Sequence, residues 1–238
     1  MNLRGVRIAL SVGGSVKLLL APAGIFQGLL DRPGVTHQFC NRQAVDILRN
    51  DGFVLTANFF ENYLSELNAG VCWADEGWKN VSHYFDAGTR KGLWRFSTAV
   101  DDFRDYFGRS LQLARRSNWR KAVFFLGAAA HLVQDLCVPH HARGKLFAGH
   151  QQYEAWVEEN YTKFAVNGAG LYNDKRHAHY LMVENANVAA EFLNWVEPGT
   201  SMQAYNEATA ILLERAQRTT AGLFLQFYNM VAAVARVA

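Results

Sequence analysis

Apolar side chains in this chain recur every three to four positions over long windows, and the alternation expected of strands is scarce. The stretch "NRQAVDILRN" puts Ala44, Ile47 and Leu48 on one helical stripe, and "ANFFENYLSELNAG" does the same with Phe59, Phe60, Tyr63, Leu64 and Leu67, with Gly70 as its expected stop. Further helices are predicted over Thr98–Arg116 and over Trp119–Leu136, the latter closed by Pro139, because a proline removes a backbone donor and clashes with the preceding turn. Helical spacing returns over His150–Val166, Lys175–Trp195 and Met202–Val237, with "EPGTS" as the break between the last two. Between Gly70 and Phe96 the run of Gly, Asp, Asn and aromatics reads as a long loop. No internal repeat and no low-complexity stretch is present. The pattern predicts an all-α fold, a single-domain multi-helix bundle over residues 31–238 behind an N-terminal segment, residues 1–30.

Composition narrows the function classes. With 238 residues, half of them apolar and 19% charged, the chain is long enough for a sizeable core. A net charge of +3 is too small to argue for nucleic acid, and no basic run interleaved with aromatics supports such a face. The same mild basicity is compatible with an anionic membrane surface. Three cysteines, Cys40, Cys72 and Cys137, form no CxxC pair and read as small buried hydrophobes. At the N-terminus, Arg4 and Arg7 precede "IALSVGGSVKLLLAPAG", which reads either as a signal peptide cleaved after Ala21-Pro22-Ala23 or, because Gly13, Gly14 and Lys17 interrupt it, as an uncleaved interfacial segment. The first reading places the protein outside the cell, the second in the cytoplasm or at a membrane periphery. No later window offers the uncharged apolar length of a spanning helix.

The densest chemistry lies in "AAAHLVQDLCVPHHARGKLFAGHQQYEAW". His131 and Asp135 are one helical turn apart and project from one face, and His150 and Glu154 repeat that spacing on the next helix. One such pair is ordinary surface decoration. Two in quick succession, in apolar surroundings and with His140 and His141 between them, are the way helix bundles build metal sites, and imidazole with carboxylate suits Zn²⁺. Leaving these groups buried and unpaired would cost several kcal/mol, which a bound cation removes.

Together, "FFLGAAAHLVQDLCVPHHA" and "GHQQYEAW" resemble the signature of the bacterial zinc-dependent phospholipases C. "GVTHQFCNRQAVDIL" resembles that family's first helix, which opens on a ligand histidine, and "NAGVCWADEGWKNVSHYFD" its loop bearing an aspartate and a histidine. The resemblance runs from Val35 to Trp156 in the family's order and implies an all-helical catalytic domain over residues 31–238 with two to three Zn²⁺ per chain. It implies that Asp75, His83, His131 and Asp135 hold one zinc and that His141, His150 and Glu154 hold a second. His37, with Asp135 as a bridge, would contribute to a third, and Asp75 would double as general base. His140 falls off the motif, and His177 and His179 match nothing and read as surface residues.

The implied activity is hydrolysis of a phospholipid at a membrane surface to diacylglycerol and a phosphorylated headgroup. A nuclease of the same superfamily is the alternative within the enzymes, disfavoured by Glu154 where those nucleases carry aspartate. A zinc-binding, membrane-associated protein without turnover is the alternative outside them. Secreted members also use an N-terminal tryptophan at the third zinc; the first tryptophan here is Trp73. Cleavage after Ala23 would offer a new terminus at Gly24 instead, whereas a retained Met1 would leave the third site incomplete, weaker or filled by another group. Glu76 stands where an aromatic is familiar, and Trp73, Trp78, Tyr84 and Phe85 are read either as a cage for a quaternary ammonium or as loop packing. No β-sandwich lipid-binding domain of the kind found in toxin-like relatives follows the helices, so strong membrane lysis is not expected. Headgroup preference and oligomeric state are not encoded in any of these motifs.

Overall fold

A computed structural model describes residues 34–94, 96–147, 149–172 and 177–235. The predicted N-terminal segment, the cleavage site and Gly24 lie outside the described residues. Nine α-helices are found among the described residues, and no strand. They are α1 (Val35–Asn50), α2 (Val54–Asn62), α3 (Leu64–Asp75), α4 (Ala99–Arg115), α5 (Trp119–Asp135), α6 (Pro139–Ala142), α7 (His150–Asn160), α8 (His179–Ala189) and α9 (Met202–Ala235). Short 3-10 turns occupy Gly77–Ser82, Tyr161–Phe164 and Ala190–Trp195.

Helix α5 is the axis of the bundle. Beyond its first turn, where Arg120 and Lys121 are exposed, it is buried on every side, and from Ala122 to Asp135 only Phe124 is less than buried. Two glycines let α3 and α5 approach backbone to backbone. A Cβ on Gly70 would stand 1.9 Å from the Phe124 carbonyl oxygen, and one on Gly127 would stand 2.1 Å from that of Leu67. Gly70 is therefore a packing residue inside α3 and not the helix stop that its position after "SELNA" predicts. The interruption comes earlier, at Tyr63, whose φ of −117° departs from helical geometry and divides the predicted helix into α2 and α3.

The remaining differences from the expected elements are smaller. The loop expected from Gly70 begins only after Asp75 and contains a 3-10 turn. The predicted His150–Val166 helix is α-helical only to Asn160, and the described part of the Lys175–Trp195 helix tightens to 3-10 at Ala190. Helix α4 starts where predicted, because the Thr98 hydroxyl accepts from the Asp101 N–H while the Asp101 carboxylate accepts from the Thr98 N–H. Helix α9 closes the bundle against α1, and Phe224 stacks on Phe60 of α2 at 4.6 Å. Burial of each such phenylalanine contributes about 1.5–3 kcal/mol. The packing brings the first turns of α1 and α7 to the last residues of α3 and α5, where the chemistry is.

Candidate metal centre

Asp75 and Asp135 are each the final residue of a helix, and His131 lies one turn before Asp135. Carboxylates at helix C-termini sit at the negative end of the macrodipole, an arrangement that a cation relieves. His37 stands in the first turn of α1, and His83 follows the 3-10 turn after α3. Around Asp135 these elements meet. Its Oδ2 lies 2.8 Å from His83 Nδ1 and 3.1 Å from His131 Nε2, and its Oδ1 lies 3.4 Å from His37 Nε2. Asp75 Oδ1 approaches His83 Nδ1 at 4.0 Å and His131 Nε2 at 3.9 Å. The His37 and His131 rings stack at 4.1 Å.

A second group lies beside the first. His141 is carried on the one-turn helix α6, begun by Pro139 at its first position, where a missing N–H costs nothing. His150 opens α7 and Glu154 follows one turn later. Glu154 Oε1 is 2.8 Å from His150 Nε2 and 3.4 Å from His141 Nε2. His141 Nδ1 donates to the His83 carbonyl at 3.0 Å, and since a carbonyl only accepts, that bond fixes a proton on Nδ1 and leaves Nε2 turned to Glu154. The two groups are linked through the same bond and through Asp135 Oδ2, 4.0 Å from His141 Nδ1.

The electrostatics follow from burial and proximity. Burial disfavours the charge on Asp135, yet the neighbouring His131 and His141 outweigh it and hold the carboxyl well below its usual range. Burial likewise opposes the charge on His141, but Asp135 and Glu154 raise it to about 9. His131 is raised chiefly by Asp135 against its own burial. His37 goes the other way, lowered by burial and by His131. Glu154 is held far below the carboxylate range because His150 and His141 outweigh its burial.

The donor set fits a metal ion. Asp135 Oδ2 is buried and makes no hydrogen bond, although two imidazole nitrogens lie within 3.1 Å of it. Asp135 Oδ2 thus faces two imidazole nitrogens that hydrogen-bond to each other, His131 Nε2 and His83 Nδ1 at 3.3 Å, and is left for a cation to satisfy. Three triads meet the spacing for an ion: His37–His131–Asp135, Asp75–His83–His131 and His141–His150–Glu154. Nitrogen and carboxylate oxygen without sulfur suit Zn²⁺.

Comparison with known proteins decides the family. A family model described as zinc dependent phospholipase C matches residues 36–209. The chain belongs to the zinc-dependent phospholipase C family. It is similar to the phospholipase C of Clostridium perfringens (strain 13 / Type A), 25% identical over 248 residues that cover 87% of this chain and 61% of that protein. A phospholipase C of Paraclostridium bifermentans is 26% identical over 195 residues, 71% of this chain and 48% of that one. Among solved structures, the alpha toxin from Clostridium absonum shares the fold with a TM-score of 0.76 at 20% identity, over 85% of this chain and 65% of that one. The chain therefore spans less than two thirds of the length of these relatives.

All eight residues singled out in the sequence fall within the three triads of this zinc-dependent phospholipase C family member. His140 is fully buried and stacks on His150 at 5.0 Å, outside the triads. His177 is exposed, and His179 stacks on its ring at 5.8 Å. The four aromatics weighed as a cage go to separate duties. Trp73 packs against Tyr106, Phe124 and Phe125, Phe85 joins the core, Tyr84 stacks on His141 at 4.5 Å, and Trp78 is exposed. Gln134 escaped the sequence reading, and Tyr84 entered it in a different role. Gln134 accepts from His37 at 2.8 Å, and Tyr84 Oη faces His150 Nδ1 at 3.5 Å. A glutamine beside a ligand in an otherwise apolar helix is the signal that could have revealed the first.

Proposed function

We propose that this chain is a phospholipase C that hydrolyses the headgroup phosphodiester of a phospholipid to diacylglycerol and a phosphorylated headgroup, with two to three Zn²⁺ ions. The observation that carries the reading is the joining of two donor groups through the His141–His83 bond, with Asp135 facing both. A phosphodiester has two non-bridging oxygens and a leaving oxygen to neutralise, a task suited to several cations held close together. Zinc bound here would supply Lewis-acid neutralisation of those oxygens and acidification of a water.

The chain's own residues do the rest. His37, His83, His131 and Asp135 fix one side of the cleft in a buried frame, and His141, His150 and Glu154 fix the other. Asp75 is the open carboxylate, its side chain 48% exposed against 4% for Asp135 and 27% for Glu154. That exposure suits it to take a proton from the attacking water while staying within reach of His83 and His131. The segments between ligands expose Trp78, Trp94, Phe96 and Phe147, aromatics that favour a lipid interface over a nucleic acid strand.

Metal analysis together with hydrolysis of phosphatidylcholine vesicles and of single-stranded DNA tests the proposal. Two to three zinc ions per chain with lipid turnover are expected. Zinc with DNA turnover alone, or zinc with neither activity, would overturn it.

A further inference from the structure

Gln134 stands between two ligand-bearing positions of α5 and is itself 3% exposed. Its Oε1 lies 2.8 Å from His37 Nδ1, and its Nε2 lies 3.1 Å from both Asn41 Oδ1 and Thr220 Oγ1. Asn41 and Thr220 are fully buried. Helices α1, α5 and α9 thus contribute to one buried polar chain that ends on a histidine of the metal centre.

The direction of that chain follows from its far end. Thr220 has a single hydroxyl proton, and it goes to the Ala216 carbonyl at 2.7 Å. Towards Gln134 the hydroxyl can only accept, so the group facing it must be the amide NH₂. Asn41 agrees, because its own Nδ2 donates to Asn68 Oδ1 at 3.1 Å and leaves Oδ1 for Gln134. The glutamine oxygen is therefore turned to His37, and His37 Nδ1 must carry the proton. The lone pair is left on Nε2, the nitrogen 3.4 Å from Asp135 Oδ1. A flipped amide would set oxygen against two buried oxygens and aim an imidazole N–H into the donor triad.

We infer that Gln134 is the positioning residue of the Asp135 group, locking His37 as its Nδ1–H tautomer so that Nε2 is offered to a metal ion. The inference rests on the metal-centre reading, but not on any substrate. A ring free to exchange tautomers would present the wrong nitrogen for part of the time, and partners that orient a ligand histidine in this way change metal affinity by about 10–100-fold.

The test uses the full chain labelled with ¹⁵N. Long-range ¹H–¹⁵N correlation in the metal-free protein is expected to show His37 protonated on Nδ1. Gln134→Met, similar in volume but without an acceptor, should lose the fixed tautomer and weaken zinc binding at the Asp135 group by about 10–100-fold. The ion at His141–His150–Glu154 should stay. Gln134→Glu keeps an acceptor for His37 but loses both donors, so it should retain the tautomer and the zinc while its Tm falls. A folded Gln134→Met protein with wild-type tautomer and affinity would overturn the inference. Should that variant not fold, the wild-type spectrum decides alone, and a His37 ring protonated on Nε2 is fatal. Wild-type protein with the Nδ1–H tautomer but no lipid turnover would remove the proposed substrate and leave the role of Gln134 standing.

Discussion

In the first donor group one carboxylate, Asp135, faces three imidazoles, whereas in the second two imidazoles face one carboxylate, Glu154. The first is assembled from α1, α3, α5 and the turn before His83, so its parts come from residues 37 to 135. The second is nearly local, built by α6 and α7 within residues 141–154. Burial differs in step. Asp135 is sealed among His83 and His131, while Glu154 retains an open side. The first group leaves Asp135 Oδ2 without a hydrogen bond, and the second closes on itself through His150 Nε2 and Glu154 Oε1 at 2.8 Å. A buried, long-range site depends on both correct folding and a cation. A local, half-open pair can satisfy itself with protons until a metal displaces them.

Removing each group's carboxylate is the strongest way to break that comparison. Asp135→Asn should abolish zinc retention at both triads that contain or adjoin it and lower lipid turnover by on the order of 10³-fold, the loss of several kcal/mol of transition-state charge stabilisation. The ion at His141, His150 and Glu154 should survive dialysis, leaving about one zinc per chain by metal analysis. Glu154→Gln should do the reverse, with the second group emptied, the Asp135 group loaded and turnover down by roughly 10²-fold. If either substitution empties the whole cleft, the two groups are one cooperative site and the contrast fails.

What could be read from the sequence divides along the same line. His150–Glu154 and His131–Asp135 are visible because helical spacing alone puts i and i+4 on one face. His37, Asp75 and His83 carry no local pattern that joins them to Asp135; only the family resemblance linked them. The structure adds the reason they meet, since Gly70 and Gly127 let α3 and α5 touch and bring the end of α3 beside the end of α5. That close approach is a tertiary fact, and a glycine after "SELNA" looks the same whether it stops a helix or permits contact. Gln134 escaped for a similar cause. Its role depends on Thr220, 86 residues further along the chain.

Proton competition sharpens the comparison at the next level. In the metal-free protein His141 is raised to about 9, mainly by Asp135 and Glu154 acting against burial, so it is protonated at neutral pH. Zinc entering the second group must expel that proton, and its apparent affinity should rise by about tenfold per pH unit between pH 7 and 9. Stability runs the other way. A histidine whose folded pKa exceeds its unfolded value near 6.5 contributes stability that is complete below about pH 6.5 and lost as pH climbs through about 9. Calorimetric zinc titrations at pH 6.5, 7.5 and 8.5, paired with melting of the metal-free protein, should show these opposed trends. Zinc affinity independent of pH would mean that His141 is already neutral. Glu154→Gln removes one of the groups that raise His141, so residual zinc uptake by that variant should depend less on pH.

The smallest effect expected is at Tyr84. Both groups have an outer partner for a ligand ring, but Gln134 meets His37 at 2.8 Å while Tyr84 Oη meets His150 Nδ1 at 3.5 Å, the limit of a hydrogen bond. Tyr84 has a second hold on the group, because its ring stacks on His141 at 4.5 Å with an interplanar angle of 17°. Tyr84→Phe keeps the stack and deletes the hydroxyl, so zinc affinity at the second group should fall only about two- to threefold, the size of a hydrogen bond worth about 0.5 kcal/mol. Tyr84→Leu removes the stack as well and should weaken it further. Competition titrations against a chelator resolve these steps. A tenfold or greater loss in Tyr84→Phe would make the hydroxyl, not the ring, the support for the second group, and the two groups would then be oriented in the same way.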